Sequence, residues 1–303
     1  MQAPVYWRLR TRVLELGPRT LVMGVVNITP DSFSDGGCFV APEAAVTHGL
    51  QLLNEGADIL DLGAESTRPG TQAGGVQAAV NADEEQARLL PVIEGILKAE
   101  PRAILSIDTY KAATARAALA AGAEIVNDVS GFTWDTALPK ICADSGAGVV
   151  LMHTRGRPEQ WRAQPRLAPM ELISLIREGL AASLRLAQAA GVEREAIVLD
   201  PGYGFGKRFE DNYALLARQV ELLALGRPLL AGLSRKSFLG HTLAPLFGGN
   251  SAPLQSRENA SLAALTAAIL NGASIMRVHA VRPAVEAARI ADAIRAAHAS
   301  SRM

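Results

Sequence analysis

The chain has 303 residues, 49% of them hydrophobic, enough to bury a large core, and a single domain over 1–303 is expected. Its 30 basic and 30 acidic residues cancel, and no Lys/Arg-rich run or aromatic-basic interleaving occurs, which excludes an electrostatic footprint for nucleic acid and points to a small-molecule partner. Two cysteines, Cys38 and Cys142, make neither a disulfide framework nor a thiolate metal site, so reduced thiols and a cytoplasmic location are expected, and no apolar run reaches membrane-spanning length.

The stretch 1–20 carries Arg8, Arg10 and Arg12 without the continuous apolar core of a secretion signal. Weak alternation over 6–16 predicts a short hairpin. From residue 21 onward, short runs rich in Val, Ile and Leu alternate with helical stretches. The runs at 21–26, 104–107 and 197–199 read as strands buried on both faces. Helices are expected at 42–55, 80–98, 111–121, 135–144, 170–190, 212–224, 257–270 and 283–297, with glycines at 56, 122, 191 and 272 as left-handed stops. Eight strands and eight helices in unbroken alternation predict a (β/α)8 TIM barrel over 21–298, its bottom closed by the N-terminal hairpin.

Every apolar run ends in a residue able to bind or catalyse: Asn27, Asp61, Asp108, Asn127, Met152-His153, Asp200, Ser234-Arg235-Lys236 and Arg277-Val278-His279. Parallel strands place all of these on one rim. Four long connections, 28–41, 63–79, 155–169 and 240–256, join them. The first two are dense in Thr, Asp, Ser, Arg and Gly and belong to the active rim. The other two are blander, and 241–256 reads as a surface excursion.

Asp61, Asp108, Asn127 and Asp200 would converge at the mouth. Carboxylates and an amide suit a donor-rich heterocycle such as an aminopyrimidinone, while a hard metal ion held with substrate phosphates is the competing reading. Asp128 reads as a turn cap. Asp200-Pro-Gly-Tyr-Gly-Phe-Gly-Lys207 matches neither nucleotide-binding glycine fingerprint, and its glycines are expected to bring backbone close to a flat ligand. Opposite these acceptors stand Arg68, Lys207, Arg235, Lys236 and Arg277 as candidate anion contacts, although Lys207 and Arg235 could equally be solvated charges. The role of His153 stays open, and His48, His241 and His298 read as surface residues.

Met23-Gly-Val-Val-Asn-Ile-Thr-Pro-Asp-Ser-Phe-Ser-Asp-Gly-Gly37, followed by Asp61-Leu-Gly-Ala-Glu-Ser-Thr-Arg-Pro-Gly70, closely resembles the dihydropteroate synthases, pterin-binding enzymes of folate biosynthesis inhibited by sulfonamides. The likeness continues through Ile107-Asp-Thr109, Asn127-Asp-Val-Ser-Gly131, Met152-His153, Asp200 to Lys207, Ser234-Arg-Lys-Ser237 and Arg277-Val-His279. It implies transfer of the pterin methylene from 6-hydroxymethyl-7,8-dihydropterin diphosphate to 4-aminobenzoate by SN1-like C–O cleavage, in a homodimer. Asp108, Asn127, Met152, Asp200, Lys236 and Arg277 would hold the pterin. Asn27 would ligate Mg2+, and Asn27, Thr67, Arg68, Arg277 and His279 would hold the diphosphate. Phe33, Thr67, Pro69, Phe205, Lys236 and Ser237 would form the aminobenzoate pocket. Asp35, Arg68, Lys236 and Asn27 would carry the chemistry, with Asp35 and Phe33 in a lid.

Two positions depart from the commonest pattern: Ala64 where Gly is frequent, and Ala280 where Asp often follows the His. A pterin-binding paralogue without catalysis, or a pterin-dependent methyltransferase-like barrel, would share Asp108, Asn127 and Asp200 but has no need of the 27–37 and 67–70 segments. A lyase forming a Schiff base on Lys236 is a third reading.

Overall fold

A computed structural model describes residues 5–28, 42–65 and 80–300. Two strands, β1 (Val5–Arg8) and β2 (Val13–Leu16), pair antiparallel. Eight more are β3 (Leu21–Asn27), β4 (Ile59–Gly63), β5 (Leu105–Asp108), β6 (Ile125–Asp128), β7 (Gly148–Met152), β8 (Ile197–Asp200), β9 (Leu229–Ala231) and β10 (Ala273–Val278). They close in the order β10-β3-β4-β5-β6-β7-β8-β9, every pair parallel. This is the expected (β/α)8 barrel.

Outside it run α1 (Pro42–Asn54), α2 (Ala82–Ala99), α3 (Ala112–Ala120), α4 (Leu138–Ser145), α5 (Pro169–Ala190), α6 (Phe209–Arg218), α7 (Ser237–Thr242), α8 (Glu258–Leu270) and α9 (Val281–Ser300). One expectation needs correction. The sixth helix starts and stops earlier than 212–224, because Asp211 accepts from the Arg208 N–H at its start, and the chain then tightens into a 3-10 turn at Gln219–Leu225. The 241–256 segment lies mostly exposed at the surface, as expected, and is built from the end of α7 and two 3-10 turns, Ala244–Phe247 and Leu254–Arg257. Arg257 Nε ties this segment down by donating to the Ala252 carbonyl at 2.8 Å.

The strand side chains do alternate, but between two buried surroundings. Val26, Leu60, Leu62, Ile107, Val149 and Leu199 face the helices, whereas Met23, Ile59, Ile125, Val150, Val198, Leu230 and Ile275 fill the barrel interior. The hairpin stoppers the bottom of that interior. Trp7, Leu9 and Leu16 pack into the same inner cluster, and Trp7 donates its indole N–H to the Ala196 carbonyl at 2.9 Å. Gly148 makes room for this plug, since a Cβ there would sit 2.5 Å from Leu9 Cδ2. With one end sealed by apolar side chains, chemistry is confined to the other.

Candidate active site

Above the apolar layers, the inward-facing positions turn polar: Asp61 on β4, Ser106 and Asp108 on β5, Asn127 on β6, Asp200 on β8 and Arg277 on β10. The structure therefore brings together the sequence-predicted pterin set. Asp61, however, does not close its strand. It lies two residues before the end of β4, hence roughly 7 Å deeper than a strand-closing residue, and is fully buried.

That depth makes Asp61 a hub. Its Oδ1 accepts from Ser106 Oγ at 2.6 Å, and its Oδ2 accepts from Asn127 Nδ2 at 3.0 Å and Arg277 Nε at 2.5 Å. Arg277 also donates Nη2 to Asp108 Oδ2 at 2.7 Å. Because Nε and Nη2 of Arg277 are held by two carboxylates, its orientation is fixed, with Nη1 and the flat face of the guanidinium left for a ligand. Asn127 is fixed likewise: a carboxylate only accepts, so Nδ2 must face Asp61 and Oδ1 must face the other way.

Burial pushes Asp108 up to about 7; Arg277 opposes the shift and the neighbouring Asp61 adds to it. For Arg277, burial works against the charge, but Asp61 and Asp108 outweigh it and raise its pKa. Asp200 is also raised by burial, partly offset by the Gly202 N–H, which donates to its Oδ1 at 2.7 Å, and by Lys236. Lys236 is pulled down by burial to about 8 despite Asp200. The mouth interleaves carboxylates and an ammonium whose charge burial disfavours with a guanidinium that its carboxylate partners keep charged.

The loop after β8 behaves differently from its sequence expectation. A Cβ on Gly202 (φ 71°) would lie 2.0 Å from the His153 carbonyl oxygen, and one on Gly206 (φ 68°) 2.7 Å from Arg155 Cβ. These glycines let the loop pack on protein. Only Gly204 faces the site, with Lys236 Cδ 3.4 Å from where its Cβ would be. Lys207 turns inward and donates to the carbonyls of Gly202 (2.7 Å), His153 (3.1 Å) and Phe205 (3.3 Å), so it staples the loop and is no anion contact. The His153 imidazole lies against α5, where a Cβ on Gly179 would come within 2.5 Å of its Cδ2. Burial keeps that ring neutral, with its pKa well below the usual histidine value.

The Phe205 ring lies 4.1 Å from Lys236 Nζ and meets Trp161 edge-on at 5.1 Å. Trp161 is anchored through its indole N–H to Thr154 Oγ1 and the Gly156 carbonyl, both 3.1 Å away, so the supposedly bland 155–169 connection braces the aromatic wall. Met152 packs with Tyr110, Val129, Trp134 and Phe205. Tyr110 and Trp134 meet edge to face at 5.1 Å. Neither was singled out from sequence; the available signal was an aromatic residue within the first few positions after a strand that ends at the mouth.

Arg235 is the second cation that leaves the site. Its Nε pairs with Glu258 at 3.2 Å on α8, away from the mouth. Lys236 and exposed Ser237 follow, Lys236 capping α7 and Ser237 opening it. At β10, His279 Nδ1 lies 3.0 Å from Ser234 Oγ. Asp128 caps its turn as expected, accepting from Ser130 N at 2.8 Å and Phe132 N at 2.5 Å.

Ala64 is buried in the helix-facing core, and the positive-φ non-glycine residues among those described are Phe132 and Arg235, so its methyl imposes no strain. Half-buried Asn27 ends β3, and its side chain forms no hydrogen bond to another described residue. No cluster of three His, Cys, Asp or Glu able to hold a metal occurs among the described residues. Mg2+ commonly takes one or two protein oxygens and completes its shell with water and phosphate, and a single amide oxygen at the rim fits that habit. Phe33, Asp35, Thr67, Arg68 and Pro69 lie outside the described residues.

Residues 23–279 match the model of the pterin binding enzyme family. A dihydropteroate synthase of Mycobacterium leprae is 43% identical over 276 residues, covering 90% of this chain and 92% of that one. The dihydropteroate synthase of Bacillus subtilis is 39% identical, covering 91% and 89%. Among solved structures, Xanthomonas albilineans dihydropteroate synthase with 4-aminobenzoic acid superposes with a TM-score of 0.84 at 39% identity, over 97% of this chain and 99% of that chain. The Yersinia pestis dihydropteroate synthase in a sulfonamide drug complex gives 0.85 at 38% identity, over 97% and 100%.

Proposed function

This chain belongs to the pterin binding enzymes, as one of their dihydropteroate synthases, and we propose that its barrel mouth divides the reaction between an acceptor-lined pterin pocket and a cationic exit for diphosphate. One observation carries the division. Asp61 turns the Asn127 amide so that Oδ1, Asp108 and Asp200 present acceptors to one space, while Lys236 and the face of Arg277 border the same space. A dihydropterin ring supplies N–H donors along one edge and a carbonyl and ring nitrogen elsewhere, which matches acceptors on one side and an ammonium on the other.

The C–O bond of the pterin methylene breaks and diphosphate departs with the bonding pair. The aniline nitrogen of 4-aminobenzoate then forms the new C–N bond and loses a proton. A methylene cation conjugated with the pterin is favoured by surrounding carboxylates, which supports an SN1-like course. Asn27 would hold Mg2+ together with the diphosphate, the metal supplying charge neutralisation of the leaving group. His279 and Arg277, with Thr67 and Arg68, hold the diphosphate. Phe205, Lys236 and Ser237, with Phe33 and Pro69, receive 4-aminobenzoate or a sulfonamide in its place. Asp35 stabilises the cationic methylene.

A homodimer is part of this reading, supported by apolar side chains left exposed on α8 and α9, namely Leu270, Ile290 and Ile294. So is a cytoplasmic location, with which the buried free thiol of Cys142 agrees. The pocket assignment is tested by Asp200→Asn, which replaces an acceptor with a group half donor. Calorimetry with 6-hydroxymethylpterin is expected to show at least a tenfold weaker complex, and unchanged affinity would remove Asp200 from the pocket.

A further inference from the structure

Ser234 lies three residues beyond β9 and is buried. Its Oγ is 3.0 Å from the imidazole Nδ1 of His279 and 3.3 Å from the His279 backbone nitrogen, so one hydroxyl spans the ends of two neighbouring strands. Its own place is over-determined. Arg235, the next residue, takes φ 58°, a left-handed conformation uncommon for a residue with a long side chain. Helix α8 and the residue before it hold it there: the Arg235 N–H donates to Ser261 Oγ at 2.9 Å, Arg257 Nη1 donates to the Arg235 carbonyl at 3.1 Å, and Glu258 takes the guanidinium. Left-handed backbone held by outside partners recurs where a neighbouring side chain must be aimed.

The hydroxyl has one proton and two lone pairs. The His279 backbone N–H occupies one lone pair, and toward Nδ1 the hydroxyl donates when that nitrogen is unprotonated and accepts in its second lone pair when it is not. We infer that Ser234 donates and is a positioning residue: it holds His279 with Nδ1 turned inward, so that Nε2 carries the ring proton and is the atom offered to the departing diphosphate. The inference rests on the proposed contact between His279 and diphosphate. It gives Ser234, and behind it Ser261 and Arg235, a task in the reaction although none of them touches substrate. An imidazole whose tautomer is set beforehand donates to the leaving group without first reorganising.

The experiment compares wild-type enzyme with Ser234→Ala, Ser234→Thr and His279→Ala. Three quantities are read: Mg-diphosphate affinity, 6-hydroxymethylpterin affinity, and the His279 tautomer from ring nitrogen chemical shifts. For Ser234→Ala, diphosphate binding is expected to weaken roughly fivefold, pterin binding to stay unchanged, and the single tautomer to become a mixture. Ser234→Thr should restore all three. The inference is overturned if Ser234→Ala keeps one tautomer and full diphosphate affinity while His279→Ala loses that affinity. Equal loss of both ligands in Ser234→Ala overturns it as well, since that marks a general collapse of the mouth. If His279→Ala binds diphosphate normally, the underlying contact is wrong and the inference falls with it.

Discussion

Asn127 donates its amide Nδ2 to Asp61 Oδ2 across 3.0 Å, and this bond decides what the pterin pocket offers its ligand. Without a carboxylate beneath it, the amide could turn either way and present a donor where an acceptor is required. Asp61 simultaneously fixes Arg277 and accepts from Ser106, so one buried side chain orients three others.

The Asp61→Asn substitution keeps the shape and removes the charge. Arg277 then leans on Asp108 alone, and the new amide opposes Asn127 with a donor on one of its two edges. A loss of about 3–5 kcal/mol in stability is expected from leaving the buried guanidinium half-paired. Pterin affinity should fall together with it. Denaturant unfolding and calorimetry check both, and an unaltered pterin complex would show that Asn127 holds its orientation by other means.

Asp108 gives pterin affinity a pH dependence. In the empty pocket its carboxyl titrates at about 7, raised by burial in spite of Arg277. The raised value means that the empty site takes up a proton as pH falls through about 7, while N–H donors need the ionised form. Affinity for 6-hydroxymethylpterin should therefore be level above pH 7 and weaken toward roughly tenfold per pH unit below it. Asp108→Asn should flatten the profile and bind weakly throughout. A flat profile in the wild type between pH 5.5 and 8 would argue that Asp108 is already ionised or does not face the ligand.

Lys207 is expected to matter for folding and hardly for chemistry. Its ammonium donates to three loop carbonyls, and burial pulls its pKa down to about 7, with Asp200 pulling back. Lys207→Met strips those carbonyls of their donor, at about 1–3 kcal/mol, with some relief from no longer burying a charge. Thermal unfolding should record the loss, and KM for the pterin diphosphate should stay within about twofold of wild type. A large rise in that KM with no loss of stability would return Lys207 to the anion site.

Asn27→Ala addresses the metal. With its rim oxygen gone, the enzyme should need more Mg2+ for half-maximal turnover and lose roughly ten- to a hundredfold in kcat/KM, while free pterin, which carries no phosphate, binds as before. A Mg2+ titration that superposes on the wild type would place the ion elsewhere.

The barrel itself was legible because its signal is repeated: each buried strand carries a run of branched apolar residues, and Gly56, Gly122, Gly191 and Gly272 stop the helices with left-handed backbone. The polar set at the strand ends was legible for the same reason. Depth and direction were not. Asp61 resembles Asp108 in sequence, and only the register of β4 shows that it stops two residues short of the rim. Lys207 and Lys236 follow similar Gly-rich or polar segments, yet one is drawn under its loop by three carbonyls and the other caps a helix at the mouth. Arg235 is a charge next to a binding residue whose own side chain is claimed by Glu258 on α8, a contact 23 positions away along the chain. Ser234 carries no sign in sequence that His279 is its partner, because the two meet only when β9 and β10 lie side by side.

The most direct test of the whole account is synthesis by the purified enzyme. Incubation with 6-hydroxymethyl-7,8-dihydropterin diphosphate, 4-aminobenzoate and Mg2+ should release diphosphate and form 7,8-dihydropteroate in equal amounts, with both products forming roughly tenfold or more slowly when Asp200→Asn or Asn27→Ala replaces the wild type at the same low substrate concentration. Folded wild-type protein that binds pterin but makes neither product would contradict it.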